Sequence, residues 1–182
     1  KVRLLNGAHT ATVAPALLQD IPTVKSAVNE PLTGRFMQQL LYKEIIPAFP
    51  SDDPKALEEF ARNTLERFNN PFIEHRWEDI SINSISKFRE RVLPSLLDHH
   101  QIFRRWPHGL TLSLAALLAL YSDPGGNILP GTYTPRDNPN ILSFFAEAAT
   151  SVARSENYEI SLVSAALAEE KLWGQNLLNY PG

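Results

Sequence analysis

Three side chains near the start of the chain could do carbonyl chemistry together. Lys1, Asn6 and His9 lie within the first ten residues, KVRLLNGAHT. A lysine can give or take a proton, an asparagine amide can donate to a developing oxyanion, and an imidazole can orient a hydroxyl. The spacing K-x4-N-x2-H therefore indicates a site that polarises and protonates a carbonyl. The alternative is a solvated lysine, an asparagine near a helix end and a surface histidine.

The segment that carries these residues is predicted to be a helix that opens the domain. At about 100° per residue, His9 lies about 80° and Asn6 about 140° round the helix from Lys1, so all three can face one side. Apolar residues fall in the same arc, so a regular helix would not present the three polar side chains on an uninterrupted polar face. Gly7 is a candidate for a bend in it.

The composition argues against several classes of protein. The chain has 182 residues, no cysteine and a formal net charge of −3, with its basic residues scattered. These features exclude a disulfide framework and a thiolate nucleophile and disfavour a nucleic-acid partner. No apolar run is long enough to cross a membrane. We therefore expect a soluble, cytoplasmic protein.

Helical periodicity and cap signals predict an all-α fold. Thr23 is placed to cap a short helix that runs to about Asn29, and Asp53 followed by Pro54 starts another. The stretch from 110 to 122 is apolar nearly all round, which predicts a buried central helix. Two further helices are expected over about 140–154 and 159–172.

Several places are expected to break the helices. Pro15 and residues 20–22 should interrupt the opening helix, and Pro94 should kink the helix that begins near Ser86. Residues 71–86 are the least periodic and are predicted to be extended or loop-like around 80–82. The glycine- and proline-rich segment 123–139 is predicted to be a long loop.

The opening string resembles the signature at the start of the C-terminal domain in the mannitol dehydrogenase family, which includes polyol dehydrogenases and hexuronate reductases. The likeness continues through EIIP (44–47), SLAALLALY (113–121) and LWGQNL (172–177). It implies a single helical domain over residues 1–182, similar to the C-terminal domain of 6-phosphogluconate dehydrogenase. Because the chain begins inside the signature and without a methionine, we expect a fragment of a longer protein.

A second string, NPFIEHRWEDISINSISKFRERVLP (70–94), resembles the hexuronate reductases, in which an N-P-x3-H element precedes an S-x-K helix start. The resemblance makes His75 and Lys87 substrate-binding candidates. Arg76 could supply a positive charge for a uronate carboxylate. Taken alone, Lys87 would be a solvated first-turn lysine and Arg76 would pack on its tryptophan neighbour. Asp79 stands where polyol-oxidising members carry an arginine, which argues against mannitol or fructose as substrate.

The resemblance implies a metal-independent hydride transfer between NADH and the keto group of D-tagaturonate, giving D-altronate. Lys1 would be the acid in reduction and the base in oxidation, with a pKa lowered by burial in an interdomain cleft. Asn6 would stabilise the alkoxide, and His9 would hold a neighbouring hydroxyl. NAD(H) would be bound mainly by an N-terminal Rossmann-type domain that is absent from this chain.

Two alternatives stay open. Within the family, fructuronate or another polyol or hexuronate could be the substrate. Outside it, the leucine- and alanine-rich helices could form a non-catalytic interaction module. A zinc site at His99 and His100 is disfavoured, because neighbouring side chains on a helix point about 100° apart and no other ligand lies at a suitable spacing.

Overall fold

The computed structural model describes residues 1–49, 53–70, 72, 74–122, 133–152 and 157–180. Within them the chain forms α-helices and short helical turns and no β-strand. The helices are α1 (Gly7–Leu18), α2 (Val24–Asn29), α3 (Pro31–Gln39), α4 (Pro54–Phe68), α5 (Trp77–Ile80), α6 (Ser84–Arg91), α7 (Leu93–Phe103), α8 (His108–Ser122), α9 (Pro139–Val152), α10 (Tyr158–Ala168) and α11 (Glu170–Trp173). The all-α prediction is confirmed.

Two π-helical turns interrupt the regular pattern. The first π turn (Val2–Asn6) leads directly into α1, and the second π turn (Leu40–Ile45) continues α3. The two turns pack against each other. A 3-10 turn, Leu177–Asn179, follows α11. Isolated π turns are rare and often occur at functional sites, and here one of them begins directly after Lys1 and ends at Asn6.

The core is centred on α1, whose most extensive partner is α8. Small side chains at positions 8, 11, 14 and 16 of α1 are fully or almost fully buried, which lets neighbouring helices approach closely. The face of α8 that includes Leu110, Leu117 and Leu120 is buried. This packing fixes α1 in the core and holds the partly buried His9 at its start.

The predicted break at Pro15 is wrong, because α1 continues through Pro15 to Leu18. A proline removes one backbone hydrogen bond from a helix. Every residue from Thr10 to Ala16 is buried, so side-chain packing outweighs that loss.

Around 80–82, where extended or loop-like backbone is predicted, the chain is not extended but forms a helix end and a turn. Ile80 ends α5, and the next two residues form a turn that leads through Asn83, with φ 57°, into α6. Extended backbone occurs one step earlier, where Arg76 pairs with Thr23 in an isolated antiparallel bridge. Lys87 therefore lies in the body of α6 rather than in a first turn that begins at Ser86.

Pro94 separates two helices instead of kinking one. α6 ends at Arg91, Val92 has φ −113°, and Pro94 lies in the first turn of α7. A proline is tolerated there because the first N–H groups of a helix have no intrahelical partner. The final helix is likewise divided, since Glu169 ends α10 and caps α11.

The central helix α8 is buried on one side only. Leu112 is 56% exposed, and Thr111 and Ala115 are exposed as well. Part of the predicted loop, 123–132, lies outside the described residues, and 133–138 has no regular secondary structure. No helix among the described residues is long and apolar enough to cross a membrane.

Candidate active site

The first π turn brings Lys1 and Asn6 one helical turn apart. The carbonyl of Lys1 accepts hydrogen bonds from the backbone N–H groups of Leu5 at 3.0 Å and Asn6 at 3.2 Å. The bond to Asn6 spans five residues, so the rotation per residue is smaller than in the regular helix assumed from sequence. Asn6 thus lies closer to the Lys1 side than predicted. Its side chain makes no cap hydrogen bond to α1, and Lys1 is exposed.

Arg3 holds this π turn on α7. Its Nε donates to the Oγ of Ser95 at 2.9 Å, and its Nη2 lies 2.8 Å from the Oδ2 of Asp98. The guanidinium also lies over the ring of Phe49, 5.0 Å from its centroid. The backbone between Lys1 and Asn6 is therefore fixed by a side chain that points away from them.

His9, in the first turn of α1, is enclosed by aromatic rings. Phe68 stacks on it with ring centroids 3.9 Å apart and an interplanar angle of 15°. The rings of His75 and Trp77 meet it edge-on at 6.0 and 6.1 Å. The Nε2 atom of His9 is buried and has no hydrogen-bond partner among the described residues.

This environment keeps His9 neutral. Burial, followed by the charges of His75, Arg91 and Arg67, lowers the pKa of His9 to about 3. A neutral imidazole has one donor nitrogen and one acceptor nitrogen. His9 can therefore orient a hydroxyl, but it does not supply a proton from an imidazolium at neutral pH.

The start of α5 and the segment before it bring Trp77 and His75 to His9 and leave Arg76 elsewhere. The backbone at Arg76 is extended, with φ −79° and ψ 135°, and alternate side chains of extended backbone point in opposite directions. Arg76 instead lies 3.1 Å from a carboxylate oxygen of Glu78. It lines a polar cavity of about 280 Å³ together with Tyr133 and Arg136 among others.

Lys87, the lysine of the second motif, lies on α6. Its Nζ donates to the carbonyl of Ile80 at 2.8 Å, and the side chain is half-buried. Burial and the nearby Arg91 lower the pKa of Lys87, while Asp137 acts in the opposite direction. The ammonium is therefore anchored beside a second cation.

A close contact at Gly7 places the end of α6 against the start of α1. A Cβ atom on Gly7 would lie 3.0 Å from the carbonyl oxygen of Arg91, so a side chain here would push the two helices apart. Gly7 thus permits the close approach, and the backbone passes directly from the π turn into α1. The charge of Arg91 acts on both His9 and Lys87, which links the two sequence motifs in space.

Asp137 supports α6 from the segment between α8 and α9. Its Oδ2 accepts hydrogen bonds from the hydroxyl of Tyr121 at 2.5 Å and the backbone N–H of Ile85 at 3.2 Å. Burial and this carboxylate raise the pKa of Tyr121 far above its usual range. The neighbouring Arg136 lies 3.7 Å from Asp79. A guanidinium thus reaches Asp79 from a distant part of the chain.

Sequence reasoning singled out neither Arg91 nor Phe68. Arg91 had a detectable signal, because it lies four residues after Lys87 and so shares its helix face. Phe68 had none, because its contact with His9 joins two helices that are far apart in the chain. No group of three or more metal-binding side chains is found in the described part of the chain.

Comparison with known proteins gives a family match over almost the whole chain. Residues 1–180 match the model described as mannitol dehydrogenase C-terminal domain. Proteins named altronate oxidoreductase are similar over all of this chain: one from Bacillus subtilis (strain 168) is 38% identical over 181 residues, and one from Klebsiella pneumoniae (strain 342) is 39% identical over 187 residues. The chain spans 35% and 37% of the lengths of these two relatives.

Two solved structures share the fold. Pseudomonas fluorescens mannitol 2-dehydrogenase, in a ternary complex with NAD and D-mannitol, matches with a TM-score of 0.68 and 20% identity, over 96% of this chain and 37% of that one. A D-sorbitol dehydrogenase in substrate-free form matches with a TM-score of 0.69 and 17% identity, over 94% of this chain and 38% of that one. At these identities the likeness shows the fold alone.

Proposed function

The chain belongs to the mannitol dehydrogenase C-terminal domain family, and we propose that it is the substrate-binding and acid–base domain of an NAD-dependent oxidoreductase that interconverts D-tagaturonate and D-altronate. The observation that carries the proposal is the likeness to proteins named altronate oxidoreductase, at 38–39% identity over the whole of this chain. The chain spans just over a third of these relatives. The proposal therefore includes an additional Rossmann-type domain that holds most of the cofactor.

The residues present suit the carbonyl side of such a reaction. The Lys1 side chain is exposed, Asn6 does not cap its helix, and His9 is held neutral. When bound, NAD(H) supplies or accepts the hydride. The lysine of this chain would transfer the proton, and the amide and the imidazole would bind the substrate oxygens.

Lys1 is proposed as the acid–base group. In reduction its ammonium gives a proton to the substrate oxygen as the carbonyl carbon receives the hydride, and in oxidation the neutral amine takes that proton back. For this exchange near neutral pH its pKa must lie well below that of a free lysine. Enclosure of Lys1 between this chain and a second domain would have that effect, because burial disfavours the charged amine.

Asn6 and His9 are proposed to hold the substrate oxygens. The Asn6 amide N–H donates to the carbonyl oxygen and stabilises the alkoxide in the transition state. His9 binds a neighbouring hydroxyl as a neutral group, which is supported by its position between aromatic rings. On the π turn, Asn6 and Lys1 lie one turn apart, so that one substrate oxygen could contact both.

Lys87, His75 and Arg76 are proposed to bind the rest of the substrate. Lys87 is supported by its half-buried ammonium, and His75 by its ring contact with His9. The charge of Arg76 is partly neutralised by Glu78 at 3.1 Å. A role for Arg76 in binding a carboxylate therefore requires that this exposed ion pair opens.

The test is NADH oxidation by the full-length protein with D-tagaturonate, D-fructuronate and D-fructose side by side. We expect the highest kcat/KM with tagaturonate, and we expect Lys1→Ala to remove most of the rate. Fastest turnover of fructuronate would transfer the assignment to the other hexuronate. If none of the three ketones is reduced, the enzyme proposal is wrong and a helical interaction module becomes the better explanation.

A further inference from the structure

Positive charge collects around His9 from several separate elements. Arg67 comes from the end of α4, His75 from the segment before α5, and Arg91 from the end of α6. Lys87, one turn before Arg91, extends the group. We call the half-buried Lys87 and Arg91 together the α6 cation pair.

The charges of the α6 cation pair are not balanced by ion pairs in the described part of the chain. The arginines that do form ion pairs there are Arg3, Arg62, Arg76, Arg89 and Arg136. The carboxylate that acts on Lys87 belongs to Asp137, and a single carboxylate can balance only one of the two charges. The pair therefore lies beside the proposed catalytic residues with an excess of positive charge.

A bound anion would stabilise this arrangement. Like charges four residues apart on a helix repel each other, and partial burial strengthens the repulsion because less water screens it. The contact between Gly7 and the carbonyl of Arg91 holds the end of α6 against the start of α1. The fold thus keeps two cations close to the first motif, where they can attract a negative group.

We propose that the α6 cation pair binds the carboxylate of the hexuronate substrate, with Arg91 as its main partner. The inference rests on the proposed function, and it assigns the recognition of the acid group to Arg91. A guanidinium can bind both oxygens of a carboxylate through two parallel hydrogen bonds. In D-tagaturonate the carboxylate lies at the far end of the carbon chain from the keto group. The α6 cation pair would then set the direction in which the substrate lies across Lys1, Asn6 and His9.

The experiment compares D-tagaturonate with D-tagatose, its neutral analogue, in the full-length enzyme. The two molecules differ by a carboxylate in place of a primary alcohol, so the ratio of their kcat/KM values reports recognition of the acid. Arg91→Gln should lower this ratio about 10- to 100-fold, the range for loss of hydrogen bonds to a charged group. The KM for NADH should not change.

Arg89→Gln is the matched control. Arg89 lies on the same helix and pairs with Glu90 at 3.9 Å, outside the α6 cation pair, so the ratio should stay at the wild-type value. If Arg91→Gln does not fold, as judged by circular dichroism, Arg91→Lys takes its place. That variant keeps the charge and loses the two-pronged geometry, so the ratio should fall by less.

The outcomes separate this inference from the proposed function. If wild type reduces tagaturonate and Arg91→Gln leaves the ratio unchanged, the carboxylate assignment is overturned and the proposed function stands. A higher KM for NADH with an unchanged ratio overturns it in favour of a site for the phosphates of the dinucleotide. If wild type reduces neither ketone, the proposed function fails and the assignment fails with it.

Discussion

At the scale of single residues, the environment of His9 is the clearest sign of a specialised role. Its ring stacks on Phe68 at 3.9 Å, and its pKa lies at about 3 because of burial and surrounding positive charge. Besides burial, the groups that lower this pKa are His75, Arg91 and Arg67, which come from three separate elements. The imidazole therefore stays neutral near neutral pH, the range in which a lysine of lowered pKa could exchange a proton.

The lowered pKa of His9 predicts a pH-dependent stability. Below about pH 6.5 the unfolded chain protonates His9 and the folded chain does not, so stability falls with falling pH until the pH approaches 3. This group should lower the free energy of unfolding by about 2 kcal/mol between about pH 7 and about pH 5. His9→Gln removes the titrating group, so its free energy of unfolding should decrease less over that range. Urea unfolding at the two pH values measures the difference.

His108→Gln provides the comparison, because His108 is exposed and removing it should leave the pH dependence of wild type intact. Parallel stability curves for wild type and His9→Gln would show that His9 is not shielded as described.

At the scale of elements, two contacts across the fold fasten the two π turns to the helices they pack on. Glu44, on the second π turn, accepts hydrogen bonds from the backbone N–H groups of Gly109 at 2.7 Å and Leu110 at 2.8 Å. These N–H groups belong to the first turn of α8, where a carboxylate also interacts favourably with the helix dipole. A Cβ on Gly109 would lie 3.1 Å from each Glu44 carboxylate oxygen, so glycine gives the carboxylate access.

Glu44→Ala should lower the free energy of unfolding by about 1–3 kcal/mol, because two N–H groups at the start of α8 lose their acceptor. Glu44→Gln should lower the free energy of unfolding by less than Glu44→Ala, since its amide oxygen can still accept a hydrogen bond. Denaturant unfolding of the chain measures both values. Glu59→Ala, at an exposed position with a 3.8 Å ion pair, should stay within about 0.5 kcal/mol of wild type. If Glu44→Ala lowered the free energy of unfolding by no more than Glu59→Ala does, the Glu44 carboxylate would not cap α8.

Arg3 provides the second contact, between the first π turn and α7. Arg3→Met should destabilise the chain by about 1–3 kcal/mol, since the half-buried guanidinium donates to Ser95 and pairs with Asp98 at 2.8 Å. The substitution changes neither Lys1 nor Asn6. Thermal or denaturant unfolding is the measurement.

Arg62→Met is its counterpart, because that arginine pairs with Glu59 at 3.8 Å at an exposed position. Its effect should be close to zero. If the two variants were equally stable, the contact of Arg3 with α7 would not hold the π turn.

At the scale of the whole molecule, the proposed function makes the chain one half of a reaction centre. The proposed acid–base group is exposed, and the sequence contains no G-x-G-x-x-G string of the kind that binds dinucleotide phosphates. The charged and polar groups of the proposed site lie at the first π turn, on α1, in the segment before α5 and on α6. We therefore expect substrate recognition in this chain and cofactor recognition outside it.

The chain by itself should not bind NADH measurably. Titration calorimetry with NADH should give no heat beyond dilution, whereas the full-length protein should bind. Micromolar binding by residues 1–182 alone would contradict this division of roles. Full-length protein that fails to bind would contradict the proposed function instead.

The sequence alone determined the features that depend on neighbours in the chain. Thr23 caps α2 in a capping box with Ser26, and Asp53 accepts from the N–H of Ala56 at 3.0 Å. These signals act within one turn of a helix, so residue type and spacing are sufficient to find them. The same holds for the two motifs, whose residue types and order could be recognised without coordinates.

Only the tertiary structure decided how the motifs are brought together. Pro15 stays inside α1 because the surrounding helices bury it, and the angles expected for Lys1 and Asn6 change because their turn is π-helical. The neutral state of His9 and its proximity to Arg91 depend on helices that are distant in the chain. Such contacts depend on how all the helices pack at once, so local spacing could name the candidate residues but not the charge and burial that surround them.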